Sequence, residues 1–155
     1  MAKSAGKKAT AADAEICMKF YDLRREAEMR KARNWFGMWQ PQTFDDLLKL
    51  SMAMEKPENA WYRMVLTYWE NAASLVLRGA VHKDLFMDWN HEMIFVYVKI
   101  KPWLPQIRKQ WGMPEYFSKV EKVCNSSAEM KKEVAKMEKR FKEWGERMRA
   151  NAAKT

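Results

Sequence analysis

Two runs of sequence decide the fold of this chain: NAWYRMVLTYWENAASLVLRG at residues 59–79 and DLFMDWNHEMIFVYVKI at residues 84–100. Each is long enough for a helix of several turns, and each is apolar around most of its circumference. A helix of this kind is buried on several sides. The two runs therefore predict an antiparallel pair of long helices at the centre of a helical bundle.

Composition extends this prediction to the whole chain. Its 155 residues include only 5 glycines and 5 prolines, while 13 methionines and 8 tryptophans supply much of the apolar volume. Helix formers dominate the rest, and the length is that of one domain. We therefore expect an all-α, single-domain helical bundle over residues 10–155, preceded by a disordered basic tail at residues 1–9.

Local start and stop signals place the helices along the chain. Thr10 with Asp13, and Thr43 with Asp46, have the spacing of a capping box. Pro57 suits the first turn of a helix because it has no N–H group to leave unsatisfied. These signals predict helices over residues 10–36, 44–54, 57–78 and 84–101, a short helix ending at Trp111, a helix over residues 115–124 and a C-terminal helix capped by Ser126.

The C-terminal helix carries a heptad pattern typical of a coiled-coil seam. In a parallel homodimer, however, Glu133 would face Glu138 of the second copy, and the two carboxylates would repel each other. We therefore expect the seam to pack on the protein's own bundle, as a monomer or weak oligomer, with an antiparallel or heterologous partner left open. The seam consists of Met130, Val134, Met137, Phe141, Trp144 and Met148.

The net charge of +9 is concentrated at the two ends of the chain. Residues 1–34 carry +4, residues 35–101 carry −1 and residues 102–155 carry +6. Such an excess attracts nucleic acid or anionic lipid, but it also keeps a protein soluble. Solubility is the favoured interpretation, because no run of basic residues is longer than three.

The N-terminal helix supplies the candidate residues for binding a partner. Its predicted core stripe is Ile16, Phe20, Leu23 and Ala27, and Trp61, Trp69 and Trp89 are also assigned to the core. Two other tryptophans lie near the basic end of this helix, where exposure would let them contact an acidic partner, a nucleic acid backbone or a lipid surface. The candidate partner-binding residues are Arg24, Arg25, Arg30, Lys31, Arg33, Trp35 and Trp39.

Glu70 and His91 are the candidate buried polar residues. Glu70 interrupts an apolar helix, so we expect it to pair with Arg63, Arg78, His91 or Lys99. His91 with Asp88 has the spacing of half a metal site, but di-iron bundles need such motifs on two helices. The sequence therefore predicts no catalytic residues, no metal site and no cofactor.

Cysteine use and the absence of targeting signals indicate the compartment. Cys17 and Cys124 are far apart and belong to no metal-binding motif, so two buried, reduced thiols are favoured over a disulfide. The start of the chain is polar, unlike a secretory signal, and no apolar run is long enough to span a membrane. We expect a cytoplasmic protein.

One part of the sequence resembles a known family. Residues 68–86, YWENAASLVLRGAVHKDLF, followed by KIKPWL at residues 99–104, resemble an uncharacterised family of bacterial helical proteins. In that family a Trp-Glu helix ends at a glycine before an acidic-hydrophobic turn. The resemblance implies helices and a bacterial cytoplasmic origin, and it implies no activity and no site.

The sequence favours a non-enzymatic helical protein that binds another macromolecule through its basic N- and C-terminal helices. A protein partner is expected first. The first alternative is a nucleic-acid-binding module that uses the same basic surface, and salt-sensitive binding would support it. The second alternative is a helical bundle that binds a small molecule or a metal.

Overall fold

A computed structural model describes residues 8–152 and confirms that the protein is all-α. The predicted tail at residues 1–9 lies outside the described residues except for Lys8 and Ala9, which are exposed and not helical. Between residues 8 and 152 no helix combines the length and the apolar character that crossing a bilayer requires. The helices are α1 (Ala11–Arg25), α2 (Ala27–Met38), α3 (Phe44–Met52), α4 (Pro57–Leu77), α5 (Lys83–Trp89), α6 (Glu92–Ile100), a 3-10 helix (Lys101–Trp103), α7 (Leu104–Trp111), α8 (Ser118–Cys124) and α9 (Ala128–Ala152).

The chain divides into two compact units, one ending at Asn90 and one beginning at His91. In the N-terminal unit, α4 packs on α2 and α3, and α1 packs on α2 and α5. Helix α4 is buried on several sides, as its sequence predicts. Its buried apolar side chains are Tyr62, Val65, Leu66, Trp69, Ala72, Ala73 and Val76.

The start signals of α1 and α3 are confirmed as capping interactions, whereas α9 is capped by Ser127, which accepts the Met130 N–H, and not by the predicted Ser126. The Asp13 backbone N–H donates to Thr10 Oγ1 over 3.3 Å, and the Thr10 N–H donates back to the Asp13 carboxylate over 2.8 Å. Thr43 and Asp46 form the same reciprocal pair at the start of α3. Pro57 opens α4, and Gly79 follows its end with a φ of 68°, which glycine adopts without strain.

The predicted continuous helix over residues 10–36 is wrong, because the chain breaks at Glu26. Glu26 has an extended ψ of 142°, which ends α1, and its carboxylate accepts the Met29 N–H over 2.9 Å, which caps α2. The buried face of α1 passes through Asp13, Cys17 and Phe20 instead of following the predicted stripe. Leu23 is 45% exposed and Ala27 is exposed, whereas Cys17 and Phe20 are buried.

The predicted helix over residues 84–101 is also divided. Helix α5 ends at Trp89 and α6 begins at Glu92, with Asn90 between them at a φ of −128°. The Asn90 side chain is fully buried and donates to the Phe86 carbonyl over 2.7 Å, so it terminates α5 by satisfying a carbonyl of its last turn.

In the C-terminal unit, α6 packs on α8 and α9, and α8 packs on α9. Met93, Val96 and Ile100 of α6 are at most 1% exposed. The start of the heptad seam packs within this unit, since Met130 and Val134 are buried. Burial decreases along α9, however, and Met148 at the end of the seam is 39% exposed.

Asn59 provides a test of the packing of α3 on α4. Its buried side chain donates to the Leu50 and Ser51 carbonyls over 3.0 and 2.9 Å and accepts a hydrogen bond from Arg63. Asn59→Ala should lower the free energy of unfolding by about 1–3 kcal/mol, because the last carbonyls of α3 lose their donor. Asn71→Ala, at an exposed position of the same helix, should stay within about 0.5 kcal/mol of wild type in urea unfolding. Equal losses in the two variants would contradict the capping role.

Candidate functional site

The structure separates the basic residues that the sequence grouped as one patch. Arg24 is half-buried: its Nη2 donates to the Trp89 carbonyl over 3.2 Å, and its Cζ lies 5.7 Å from the Trp69 ring centroid. Arg33 donates from Nη1 to the Arg24 carbonyl over 3.1 Å, across the break between α1 and α2. These two arginines therefore link α1 to the end of α5 and to α2.

The other basic residues of the predicted patch are exposed. Lys31 forms an ion pair with Glu28 over 3.1 Å, and an exposed pair of this kind contributes little to stability. Glu28 also accepts a hydrogen bond from Trp61 Nε1 over 2.7 Å, and this bond, with Lys31, lowers the pKa of its carboxyl. Arg25 and Arg30 are exposed on α1 and α2.

Trp35 and Trp39 are half-buried and belong to an aromatic cluster. Their rings stack at a centroid distance of 5.5 Å and an interplanar angle of 20°. Trp61 lies 6.2 Å from Trp35, and Tyr62 meets Trp39 edge to face at 5.6 Å. Contacts on this scale explain both tryptophans as packing residues between α2 and α4.

Two other aromatic residues, Trp89 and Tyr21, are exposed to solvent. Trp89 is 41% exposed, so its assignment to the core is wrong: the break at Asn90 leaves Trp89 at the end of α5 rather than within a continuous buried helix. Tyr21, which the sequence analysis did not single out, is 39% exposed on α1. The structure identifies Tyr21 because burial of Cys17 and Phe20 turns Met18 and Tyr21 outward.

These residues line a surface cleft of about 400 Å³. Arg24 and Arg25 both lie over the Tyr21 ring, with their Cζ atoms 5.9 and 5.3 Å from its centroid. Met18, 47% exposed, completes the apolar part of the lining. We call Met18, Tyr21, Arg24, Arg25 and Trp89 the Tyr21–Trp89 surface.

A larger groove, of about 500 Å³, lies beside α4 where α1 meets α2. Its polar groups already have structural roles. Glu26 caps α2, Arg63 donates to Asn59 over 3.0 Å and the Tyr68 hydroxyl donates to the Phe20 carbonyl over 2.8 Å. The groove therefore offers apolar contact area without a set of convergent polar groups, which ligand sites usually have.

The structure places the two candidate buried polar residues, Glu70 and His91, differently. His91 is exposed, because the break at Asn90 places it just before α6 rather than inside a long helix. Glu70 is half-buried on α4, and its pairing stays a prediction. Within residues 8–152 no three His, Cys, Asp or Glu residues come together in a way that would hold a metal ion.

The other histidine, His82, and the carboxylate of Asp13 have structural roles. Asp13 accepts the His82 backbone N–H over 2.7 Å in addition to the Thr10 N–H. His82 in turn accepts the Leu85 N–H at its Nδ1 over 3.3 Å, which caps α5. A cleft of about 320 Å³ is lined by Asp13 and His82. Because both residues are engaged in these bonds, the cleft is a junction of helix ends.

Both cysteines are buried free thiols, as predicted. Burial raises the pKa of Cys17, and it raises the pKa of Cys124 to about 12. Neither sulfur is therefore ionised at neutral pH, as a nucleophilic thiolate would have to be.

A family model described as "Domain of unknown function (DUF4760)" matches residues 9–127. The chain belongs to this family. No curated protein and no solved structure shows significant similarity to it. The match confirms the expected membership of an uncharacterised family and covers α1 to α8, including every residue of the Tyr21–Trp89 surface. Helix α9 begins at the residue after the match ends.

Lys99 on α6 is a buried cation of the C-terminal unit and is 2% exposed. Its Nζ lies 4.9 Å from the Phe95 ring centroid and 5.7 Å from that of Phe141 on α9. Burial disfavours the charged form and lowers the pKa of Lys99 to about 7.

Lys99 should make stability depend on pH. The unfolded chain holds this proton up to about pH 10.4, whereas the folded chain releases it near pH 7. Between these values the unfolded state binds more protons, so the free energy of unfolding should rise with pH, by at most about 1.4 kcal/mol per unit. Lys99→Met should abolish this rise in urea unfolding measured from about pH 7 to pH 10.

Lys101→Met is the matched control. Lys101 is exposed and bonded to Glu138 over 2.6 Å, and this bond raises its pKa, so its contribution is lost only at higher pH. In Lys101→Met the free energy of unfolding should still rise with pH. A rise of the same size in Lys99→Met would show that another group causes it.

Proposed function

We propose that this protein is a non-enzymatic helical protein that binds an acidic surface of another protein through the Tyr21–Trp89 surface. The observation that carries the proposal is the exposure of Tyr21 and Trp89 beside two arginines, in a unit whose other tryptophans are half-buried or buried. Tyr, Trp and Arg are the residue types that dominate binding energy at protein interfaces.

The geometry of the arginines supports this role. Arg24 is held in place by the Trp89 carbonyl and the Trp69 ring, so little side-chain entropy remains to be lost when it contacts a partner. Arg25 is exposed beside it over the Tyr21 ring. Two guanidinium groups around one aromatic ring favour a partner that presents a carboxylate next to an apolar side chain.

We also propose that the protein acts in the cytoplasm of a bacterium, as the sequence leads us to expect. We propose that it does so as a monomer or weak oligomer. Two buried, reduced thiols fit a reducing compartment.

The nucleic-acid alternative depends on the distribution of charge. Residues 91–155 contain 15 Lys and Arg and 8 Asp and Glu, a net charge of +7, which leaves +2 for residues 1–90. Several of these cations are paired, among them Arg108 with Glu121 over 2.7 Å and Lys101 with Glu138. Nucleic acid binding would appear as nuclease-sensitive recovery and a steep loss of affinity with added salt.

The test is native affinity purification with nuclease treatment, using wild type and Tyr21→Ala/Trp89→Ala. We expect the double variant to bind its protein partner at least about 30-fold more weakly, because truncating an interface hot spot costs at least about 2 kcal/mol. Trp89→Ala keeps the backbone carbonyl that orients Arg24, and circular dichroism checks that the variant folds.

Met52→Ala/Met54→Ala is the control, since it removes two side chains that are 73% and 64% exposed in the same unit but outside the surface. It should bind as wild type does. Recovery of the partner only with intact nucleic acid, or equal losses in both double variants, would refute the proposal.

A further inference from the structure

The groove of about 500 Å³ beside α4 has two walls that come from different helices. The end of α1 and the break that follows it form one wall, with Leu23 and Glu26. Helix α4 forms the other wall, with Ala60 and Arg63. We call this feature the α4 groove. Each of these two pairs of residues includes one charged side chain, and the two charges have opposite signs.

Two hydrogen bonds fix how the walls run relative to each other. The Tyr68 hydroxyl of α4 donates to the Phe20 carbonyl of α1 over 2.8 Å. Earlier on α4, Trp61 Nε1 donates to the Glu28 carboxylate of α2 over 2.7 Å. Residue numbers rise along one wall as they fall along the other, so the two walls are antiparallel.

This register gives the groove residues matched positions. Glu26 and Arg63 lie between the two hydrogen bonds, at the same level on opposite walls. Leu23 comes three residues before Glu26, and Ala60 comes three residues before Arg63. Because the walls are antiparallel, Leu23 and Ala60 lie on opposite walls and toward opposite ends of the groove.

Such an arrangement is self-complementary under two-fold symmetry. A two-fold axis midway between Glu26 and Arg63 exchanges the two walls and the two ends of the groove. It brings Glu26 of one copy to Arg63 of the other, and it does so twice. It also brings Leu23 of each copy to Ala60 of the other. Isologous contacts of this kind are the commonest way in which soluble proteins form oligomers.

The two charged groups are already oriented in the single chain. The Glu26 carboxylate accepts the Met29 N–H over 2.9 Å, and this bond lowers its pKa, so the group is charged at neutral pH. Arg63 is held by the bond from its Nε to Asn59 over 3.0 Å. Side chains that are held in this way lose little freedom when they pair across an interface.

The rest of the groove favours a second copy over other occupants. Leu23 is 45% exposed, and the small side chain of Ala60 leaves room for it on the facing wall. A partner of one charge sign would be attracted to one wall and repelled by the other. A small ligand would lack the convergent polar groups that usually orient it.

We propose that the α4 groove is the contact surface of a symmetric dimer of this chain. Leu23 of each copy packs against Ala60 of the other, and Glu26 of each copy pairs with Arg63 of the other. The apolar part of this surface is small, so the dimer is weak and forms reversibly. The Tyr21–Trp89 surface is not involved, because Leu23 lies about 200° around α1 from Tyr21.

The test is sedimentation equilibrium of the full chain over a range of concentrations. Wild type should show a reversible equilibrium between monomer and dimer. Leu23→Gln should raise the Kd of the dimer at least about tenfold, because two leucines lose apolar contact and two amides lose water. Leu77→Gln is the matched control, since Leu77 is 44% exposed in the same unit but outside the groove. Its Kd should equal that of wild type.

Charge reversal tests the ion pairs. Arg63→Glu should raise the Kd at least about tenfold, because both pairs become contacts between like charges. Arg78→Glu makes the same change in net charge at an exposed position at the end of α4, and it should dimerise as wild type does. Far-UV circular dichroism and the unfolding midpoint check that each variant folds.

Cross-linking tests which residues meet. Leu23→Cys mixed with Ala60→Cys should give covalent dimers with a short bismaleimide reagent, whereas Leu77→Cys mixed with Ala60→Cys should not. The native thiols of Cys17 and Cys124 are buried, so they do not compete for the reagent.

The outcomes separate this dimer from other assemblies. Wild type that stays monomeric at every concentration overturns the proposal, and so do equal effects of Leu23→Gln and Leu77→Gln. An unchanged Kd in Arg63→Glu contradicts the ion pairs. A dimer that is lost in Tyr21→Ala/Trp89→Ala but kept in Leu23→Gln overturns the proposal by assigning the contact to the other surface.

Discussion

Burial of α4 is the constraint on which the N-terminal unit depends. Trp69, Ala72 and Ala73 are all inaccessible to solvent, so other helices must cover this element on more than one side. Both α2 and α3 pack on it, and α3 is tied to it through the buried Asn59. The break at Glu26 allows α1 and α2 to run in different directions, and Arg33 links the two helices across it.

The same constraint sorts the aromatic residues into two groups. Packing of α2 on α4 takes Trp35, Trp39 and Trp61 into one cluster, where ring contacts use most of their surface. The end of α5 and the outer face of α1 are left with Trp89 and Tyr21 in water. Large aromatic side chains are costly to expose, which is why their exposure beside arginines is informative about binding.

Charge and burial are distributed differently in the C-terminal unit. Its core holds a lysine, Lys99, between two aromatic rings, and eight of its cations lie on exposed positions of α9. A buried lysine costs stability because the charged form is poorly solvated, whereas exposed cations cost little and raise attraction to anionic partners. The buried lysine is therefore the group that we expect to make stability depend on pH.

The sequence by itself determined the all-α class and several helix ends. Thr10 with Asp13, Thr43 with Asp46, Pro57 and Gly79 act through contacts within one helical turn, so they can be read without knowledge of the fold. Family membership also follows from sequence. The candidate surface was predicted only in part: Arg24 and Arg25 belong to it, while Tyr21 and Trp89 were missed.

Only the tertiary structure decided the breaks at Glu26 and Asn90, the burial of Lys99 and the choice of which tryptophans remain exposed. Neither break has a proline or glycine to mark it, and each shifts the phase of the helix that follows. A helical period gives the spacing of a buried stripe but not which of several stripes is buried. That choice depends on contacts between residues far apart in the chain, such as Tyr68 with Phe20 and Arg24 with Trp89.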